Sequence, residues 1–409
     1  MSAPRRLLGR LSTKFVKFLK PAVVPSASPW LTELVVDDAD DYIAALVADL
    51  EAAATSIDLE VYILADDPVG QRVLAVLAAA AARGLVVRLM VDGVGSAPWV
   101  ANRVRALTEQ GVEVAVYHPT PSDVLALNGF AVRWVLRALG SLRHLNRRNH
   151  RKVCVVDGRL AWVGSINLEH RHCRSVCGKD AWRDVAARVE GDGVAMLVQA
   201  FALSWRHAWR VGPRGLRPAL AWRDEPVRHD VGAPVRLNHG LRMRRRLFHD
   251  LLRRIRTADR RVWLANAYFV PHPALLAALI KAAQAGREVR LLLTARSDVW
   301  FMPAVADAFL PMLVRAGVQV SLYHASVLHA KTVMIDDWAT VGSTNLNSRS
   351  LRHDLEADVV LTKRESIAAL EDVWARDLAC STAVSPDHAE PRWLRWLVGR
   401  TFLLMRRWL

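Results

Sequence analysis

The chain has 409 residues, 52% apolar and 23% charged, which excludes a disordered chain and allows roughly two or three domains with sizeable cores. The 56 Lys and Arg against 40 Asp and Glu leave a net charge of +16, so the partners to expect are polyanions, either nucleic acid or an anionic membrane. The 4 cysteines exclude a disulfide framework and suit a reducing compartment.

In chain order, residues 5–20 (RRLLGRLSTKFVKFLK) come first. Leu7, Leu8, Leu11, Phe15, Phe18 and Leu19 recur at helical spacing among Arg and Lys. That pattern suits a helix lying in a membrane interface, or an ordinary amphipathic helix packed on its own domain. The basic residues run through the apolar stretch instead of preceding it, so it does not read as a signal peptide. No apolar run reaches the ~20 residues of a membrane span; the densest, 73–82, is stopped by Arg83 and reads as a packed helix.

Residues 57–96 and 262–298 repeat one pattern of strand, loop, alanine-rich helix, Gly turn and strand. Tyr62 matches Tyr268, and Gly84 matches Gly286. The apolar runs 86–91 and 289–293 predict buried strands of a parallel sheet, each reached through a βαβ crossover. The repeat continues as HRKVCVVDGRLAWVGSINL from His150 and HAKTVMIDDWATVGSTNL from His329. The offset falls from 202 at Gly84/Gly286 to 179 at His150/His329, so the first half holds about 23 more residues. They fall near 120–149, where 128–149 is again basic, with Phe130, Trp134, Leu136 and Leu139. The halves meet in a linker near 215–240. The end, 391–409, sets Trp393, Trp396 and Trp408 among arginines, a second candidate for a membrane interface.

Each half carries His-x-Lys-x-x-x-x-Asp: His150, Lys152, Asp157 and His329, Lys331, Asp336. Each motif is followed by Gly-Ser-x-Asn: Ser165 and Asn167, Ser343 and Asn345. In a strand, residues two apart face one side, so His and Lys are expected to project together, with the Asp at the strand end. A lone His is usually a satisfied core residue; two in register with two Lys and two Asn are not explained that way. The donors suit one phosphate whose charge grows in the transition state, and the imidazoles supply a nucleophile and an acid–base partner. This inventory requires no metal or other cofactor. His170, His172, Cys173 and Cys177 form a possible metal cluster, but Cys-x3-Cys is not a tight zinc knuckle, and a cleft-lining loop is the preferred reading.

These residues closely resemble the phospholipase D superfamily, whose signature is a duplicated HxKxxxxD. The chain is similar to the bacterial cardiolipin synthases over about 30–385, on LEVYILADDPVG, RGLVVRLMVDGVGS, NRRNHRKVCVVDG, YFVP and GSTNLNSRSLRHDLEADV. It looks like the shorter subgroup without transmembrane anchors. The resemblance implies an α/β fold of two pseudo-twofold-related phospholipase D-like lobes, each a mixed β-sheet flanked by helices. The expected division is a basic amphipathic segment (1–29), a first lobe (30–225) with a membrane-facing insertion at about 120–149, a second lobe (226–385), and a basic amphipathic helix (386–409).

The family pattern implies that His150 forms a phosphatidyl-histidine and that His329 is the acid–base. Lys152, Lys331, Ser165, Asn167, Ser343 and Asn345 would hold the phosphate, and Asp157 and Asp336 complete the motifs. An acidic residue downstream of each motif, Asp184 and Glu356, would orient its histidine. The implied reaction converts two phosphatidylglycerols into cardiolipin and glycerol, with phosphatidylethanolamine as a possible second donor. The expected place is the inner membrane, peripheral, on its cytoplasmic side, with anionic phospholipid and not nucleic acid as partner. Hydrolysis by the same intermediate is the main alternative, followed by a nuclease and a non-enzymatic membrane-binding protein.

Overall fold

The computed structural model describes residues 28–129, 132–141, 146–213, 215–217 and 230–385, together with Thr401. The expectations for 5–20 and, Thr401 apart, for 391–409 lie outside these residues.

Two sheets share one plan. The first consists of β1 (Thr32–Val36), β2 (Ser56–Val61), β3 (Val86–Asp92), β4 (Glu113–Tyr117), β5 (Val153–Val156), β6 (Leu160–Gly164), β7 (Ala186–Glu190), β8 (Trp209–Gly212) and β9 (Gly215–Arg217). Its spatial order is β1-β7-β6-β5-β2-β3-β4-β8-β9. The second consists of β10 (Val235–Leu237), β11 (Arg261–Asn266), β12 (Glu288–Thr294), β13 (Gln319–Tyr323), β14 (Thr332–Ile335), β15 (Trp338–Gly342), β16 (Ala357–Leu361) and β17 (Ser381–Ala383), in the order β10-β16-β15-β14-β11-β12-β13-β17. The triplets β2-β3-β4 and β11-β12-β13 are parallel, as the apolar runs predict, and the motif hairpins join them antiparallel. The expected α/β fold of two similar mixed sheets is therefore present.

The crossovers follow from local chemistry. Asp67 caps the helix Pro68–Ala82 by accepting from Gly70 N at 2.9 Å, and Pro68 opens it. After each crossover helix the chain turns at a glycine with positive φ, Gly84 (90°) and Gly286 (83°), a conformation that side chains with a Cβ resist.

The sheets pack face to face. Val153 and Val155 of β5, with Ala161 and Val163 of β6, join one buried cluster with Met334, Ala339, Val341, Ala357 and Val359 of the second sheet. The alternate residues Cys154 and Val156 turn to the first lobe's own helices. Alanines at the crossing let the backbones approach closely. Two departures from the sequence reading appear. The stretch 215–240 is not wholly linker, because β9 and β10 lie within it. The strands β5 and β14 begin at Val153 and Thr332, so the His and Lys of each motif stand in the extended chain just before the strand. In the insertion, the helix Val132–Ser141 leaves Val132, Leu136 and Leu139 exposed at helical spacing.

Candidate active site

The lobes meet at two reciprocal backbone bridges. His150 N donates to Leu355 O at 3.0 Å and Leu355 N to Arg148 O at 2.8 Å; His329 N donates to Arg183 O at 2.7 Å and Arg183 N to Val327 O at 2.8 Å. Each histidine thus stands beside the acidic residue that follows the other lobe's motif. His150 Nδ1 lies 3.1 Å from Glu356 Oε2, and His329 Nδ1 lies 3.1 Å from Asp184 Oδ1. The acids were expected to orient the histidine of their own lobe; the pairing is crossed. A carboxylate at Nδ1 fixes the proton there and leaves Nε2 for chemistry.

Both histidines line a pocket of about 360 Å³, with Asn167, Asn345, Tyr62, Tyr268 and Trp182. The Tyr62 ring lies 4.9 Å from His150 and the Tyr268 ring 6.0 Å from His329. The Oδ1 atoms of Asn167 and Asn345 are buried and have no hydrogen-bond partner. A half-turn of Asn345 aims its NH2 at the same place, whereas Asn167 donates its NH2 to Glu169 Oε1 at 3.5 Å and would give up that bond to do so. Two carboxamides, each with an unsatisfied oxygen, thus line the pocket where a ligand would sit.

The lysines lie beneath the pocket. Lys152 Nζ donates to the carbonyl of its own motif histidine at 2.9 Å, and Lys331 Nζ to that of His329. Burial lowers the Lys152 ammonium to about 8 and that of Lys331 to about 7. Burial and the two lysines hold His150 well below its ordinary value, and burial with Lys331 lowers His329 despite Asp184. Without a bound anion both imidazoles are neutral near pH 7.

The two acids differ. Burial raises Glu356 to about 6, opposed by Lys152 and the hydroxyls of Ser343 and Ser350. Burial also works against the Asp184 carboxylate, but His329, His172 and their hydrogen bonds hold it well below the usual range. His172 is a third histidine, to which the sequence reading gave no role beyond its cleft-lining loop: its Nδ1 lies 2.7 Å from Asp184 Oδ2, and its ring is 5.8 Å from that of His329. The sequence signal was position, since it stands 178 residues before Ser350 as Gly164 stands before Gly342, and Ser350 touches the other acid.

Four assigned residues do not enter the pocket. Asp157 and Asp336 sit at the far ends of β5 and β14, with φ of 52° and 51°, on the order of 20 Å along the strand from the histidines. Asp157 accepts from the amides of Ala54, Thr55 and Ser56, and Asp336 from those of Asp259, Arg260 and Arg261. They tie strand ends together, because a carboxylate beside a left-handed turn satisfies several backbone donors at once. Ser165 exchanges hydrogen bonds with the backbone of Val185. Ser343 donates to Glu356 Oε2 at 2.5 Å, so it holds the acid and not a phosphate. In the Cys/His segment, His170 pairs with Asp67, Cys173 is buried, and Cys177 donates to the His170 carbonyl; the four do not converge. Ligand atoms of His172, Asp184 and His329 do come within 4.8 Å of one another.

Comparison with known proteins agrees with this arrangement. The family model described as cardiolipin synthase, PLD-like domain, matches residues 46–178 and 251–378, one segment in each lobe. Cardiolipin synthase B of Salmonella typhi is 34% identical over 354 residues, covering 83% of this chain and 78% of that protein. Cardiolipin synthase of Halalkalibacterium halodurans is 29% identical, covering 84% of this chain and 65% of that protein. In fold, phosphatidylserine synthase of Haemophilus influenzae Rd KW20 superposes with a TM-score of 0.67 at 12% identity, over 92% of this chain and 95% of that one. With its two motif segments matched and its lobes crossed at the paired histidines, the chain belongs to the phospholipase D-like cardiolipin synthase family.

Proposed function

We propose that the chain transfers a phosphatidyl group from one phosphatidylglycerol to another, giving cardiolipin and glycerol. The observation that carries this reading is the pair of histidines, each held at Nδ1 by the other lobe's carboxylate, over two carboxamides whose buried Oδ1 atoms have no partner. In the first step His150 Nε2 attacks phosphorus, the P–O bond to glycerol breaks, and His329 protonates the leaving oxygen. In the second, His329 takes the proton of an incoming phosphatidylglycerol hydroxyl, that oxygen attacks phosphorus, and the P–N bond breaks. The His329 assignment is supported by its carboxylate. Asp184 stays ionised and stabilises an imidazolium, whereas Glu356, raised to about 6, is the weaker anion. The bound phosphodiester supplies the negative charge that lets His329 hold its proton. Asn167 and Asn345 would bind the phosphoryl oxygens, while Lys152 and Lys331 supply positive charge from below.

The substrate is membranous, and the exposed Val132, Leu136 and Leu139 favour peripheral contact with a lipid surface, for which the inner membrane is the proposed place. Among the described residues no helix is long and apolar enough to cross a membrane.

The test is purified protein with phosphatidylglycerol vesicles, assayed for cardiolipin, phosphatidic acid and glycerol, with His150→Ala and His329→Ala alongside. An arm with chelator checks the His172–Asp184–His329 group. Cardiolipin with equal glycerol, lost in both variants and indifferent to chelator, is expected. Phosphatidic acid alone would make the chain a hydrolase.

A further inference from the structure

The short helix Ser348–Arg352 is a wall between two cavities. Arg349 and Ser350 face the catalytic pocket, whereas Leu351 and Arg352 face a second cavity of about 860 Å³ that shares no lining residue with the first. Arg147, Arg244, Arg245 and Arg352 line it together with His118 and His353, and no carboxylate does. Among the described residues none of these four arginines forms a salt bridge. Arg244 is fixed by the carbonyls of Asn238 (2.9 Å), His353 (3.0 Å) and Arg352, which orient the guanidinium without neutralising it. Burial and the neighbouring Arg244, Arg147 and Arg352 lower the His353 imidazole, as a positive field requires.

The internal repeat supplies a control. The equivalent cavity of the other half, about 400 Å³, lies beside Tyr323, at the end of β13 as Tyr117 is at the end of β4. There Ser326 stands where Arg147 stands, 179 residues apart like the two motif histidines. Its Arg183 is neutralised by Asp37 and Asp377, each at 2.6 Å. The fold therefore does not demand a cavity free of carboxylates at this place: the other copy sets Arg174, Lys179 and Arg183 beside Asp37 and Asp38, and the basic copy has arginines with no acid among them. His118 also holds φ of 44° in the basic copy, and such backbone strain in a non-glycine residue collects at ligand sites.

We propose that this cavity is a second anion site, one that holds a phosphate-bearing headgroup apart from the phosphodiester handled by the histidines. One guanidinium fixed at the wall, Arg244, with three more arginines around a half-enclosed space, suits phosphate oxygens. The neighbouring Leu241, Phe248 and Leu351 suit the apolar stem of an amphiphile, which favours an anionic phospholipid over free phosphate. A phosphate joining Arg244 to Arg352 would brace the helix that presents Arg349 and Ser350 to the catalytic pocket.

The test measures binding, so it stands whether or not phosphatidyl transfer is the activity. The full chain is compared with a combined Arg147→Ser, Arg245→Ala, Arg352→Ala variant, all three positions being exposed. A control variant removes three exposed arginines elsewhere, Arg72→Ala, Arg159→Ala and Arg364→Ala. Inorganic phosphate is titrated by phosphorus NMR, and sedimentation is measured with phosphatidylcholine vesicles with and without phosphatidic acid. The full chain and the control are expected to bind two phosphates, and the cavity variant one. Excess binding to the acidic vesicles should fall about tenfold or more in the cavity variant alone. Loss of phosphate with unchanged vesicle binding would make a soluble phosphate the occupant of the same site. An unaltered phosphate stoichiometry overturns the proposal. Should the cavity variant melt early, Arg245→Lys with Arg352→Lys replaces it: retention of vesicle binding supports the site, and its loss with two phosphates still bound refutes it.

Discussion

At the scale of single residues, the paired motif contains two kinds of position doing different work. Asp157 shares its motif with His150 yet serves the backbone of 54–56. Hydrogen bonds there hold its carboxyl down at about 2. Because the folded value lies below the ordinary one of 3.8, the stabilisation is present above pH 4 and is lost as pH falls towards 2. Asp157→Asn should cost about 1–2 kcal/mol in urea unfolding at pH 7, with turnover per folded molecule within a factor of about two. A collapse of turnover with stability intact would put Asp157 back in the chemistry.

Glu356 behaves in the opposite sense. Burial pushes its carboxyl up from the ordinary 4.5 to about 6. Folding is favoured by its protonated form, so stability falls as pH rises through 6. Glu356→Gln is expected to leave thermal stability at pH 7 unchanged or higher, on the order of 1–2 kcal/mol. It should lower kcat by about 100-fold or more, because His150 loses the anion that orients it. A variant that loses stability in step with activity would contradict this account. Lys331, lowered to about 7, predicts an alkaline fall of kcat/KM beginning near neutrality as the site loses positive charge. Lys331→Arg, which stays charged, should carry that limb upward by a pH unit or more in whatever activity it retains. An unmoved limb would assign it to another group.

At the scale of elements, the crossed bridges matter most. The chain before β5 takes its hydrogen bonds from the segment before β16, and the chain before β14 from the segment before β7. Neither lobe can hold its own histidine. A chain divided between 217 and 230 should therefore show no transfer from either part alone. Mixed or coexpressed parts should recover it, driven by the Val153–Val163 face meeting the Met334–Val359 face. Activity in one part by itself would require two copies to substitute for two lobes, and gel filtration would reveal such a dimer. Arg151, fully buried, donates to Glu356 O at 3.2 Å and lies 2.8 Å from His239 Nδ1. The first motif is thus anchored in the second lobe by more than its histidine.

For the whole molecule, duplication yields a near-symmetric frame with an asymmetric site. Asp184 answers to His172 where Glu356 answers to Ser343 and Ser350, and one interlobe cavity is lined by arginines alone among charged side chains other than histidine where the other mixes cations with Asp37 and Asp38. Identical frames around unequal acids let two histidines hold unlike protonation states once a phosphate binds. The net charge of +16 also predicts that vesicle binding weakens steeply between low and physiological salt, since exposed charges are screened over about 8 Å at 0.15 M. Binding to phosphatidylglycerol vesicles that is insensitive to added salt would show that apolar insertion dominates instead.

The sequence by itself determined the duplication, the parallel strands, the crossover helices and the paired His-x-Lys segments that meet between the lobes. Each of these is a local pattern repeated at long range: apolar runs, glycine turns, and His and Lys two apart. What it did not determine is partnership. Asp184 and Glu356 were legible as acids, but which histidine each serves depends on how two sheets cross. Ser165, Ser343, Asp157 and Asp336 lie close in sequence to site residues, yet backbone donors and a neighbouring carboxylate claim them first. His172 was visible only as part of a Cys/His cluster. Only packing brought it to Asp184, because buried carboxylates recruit whatever donors the folded interior places beside them.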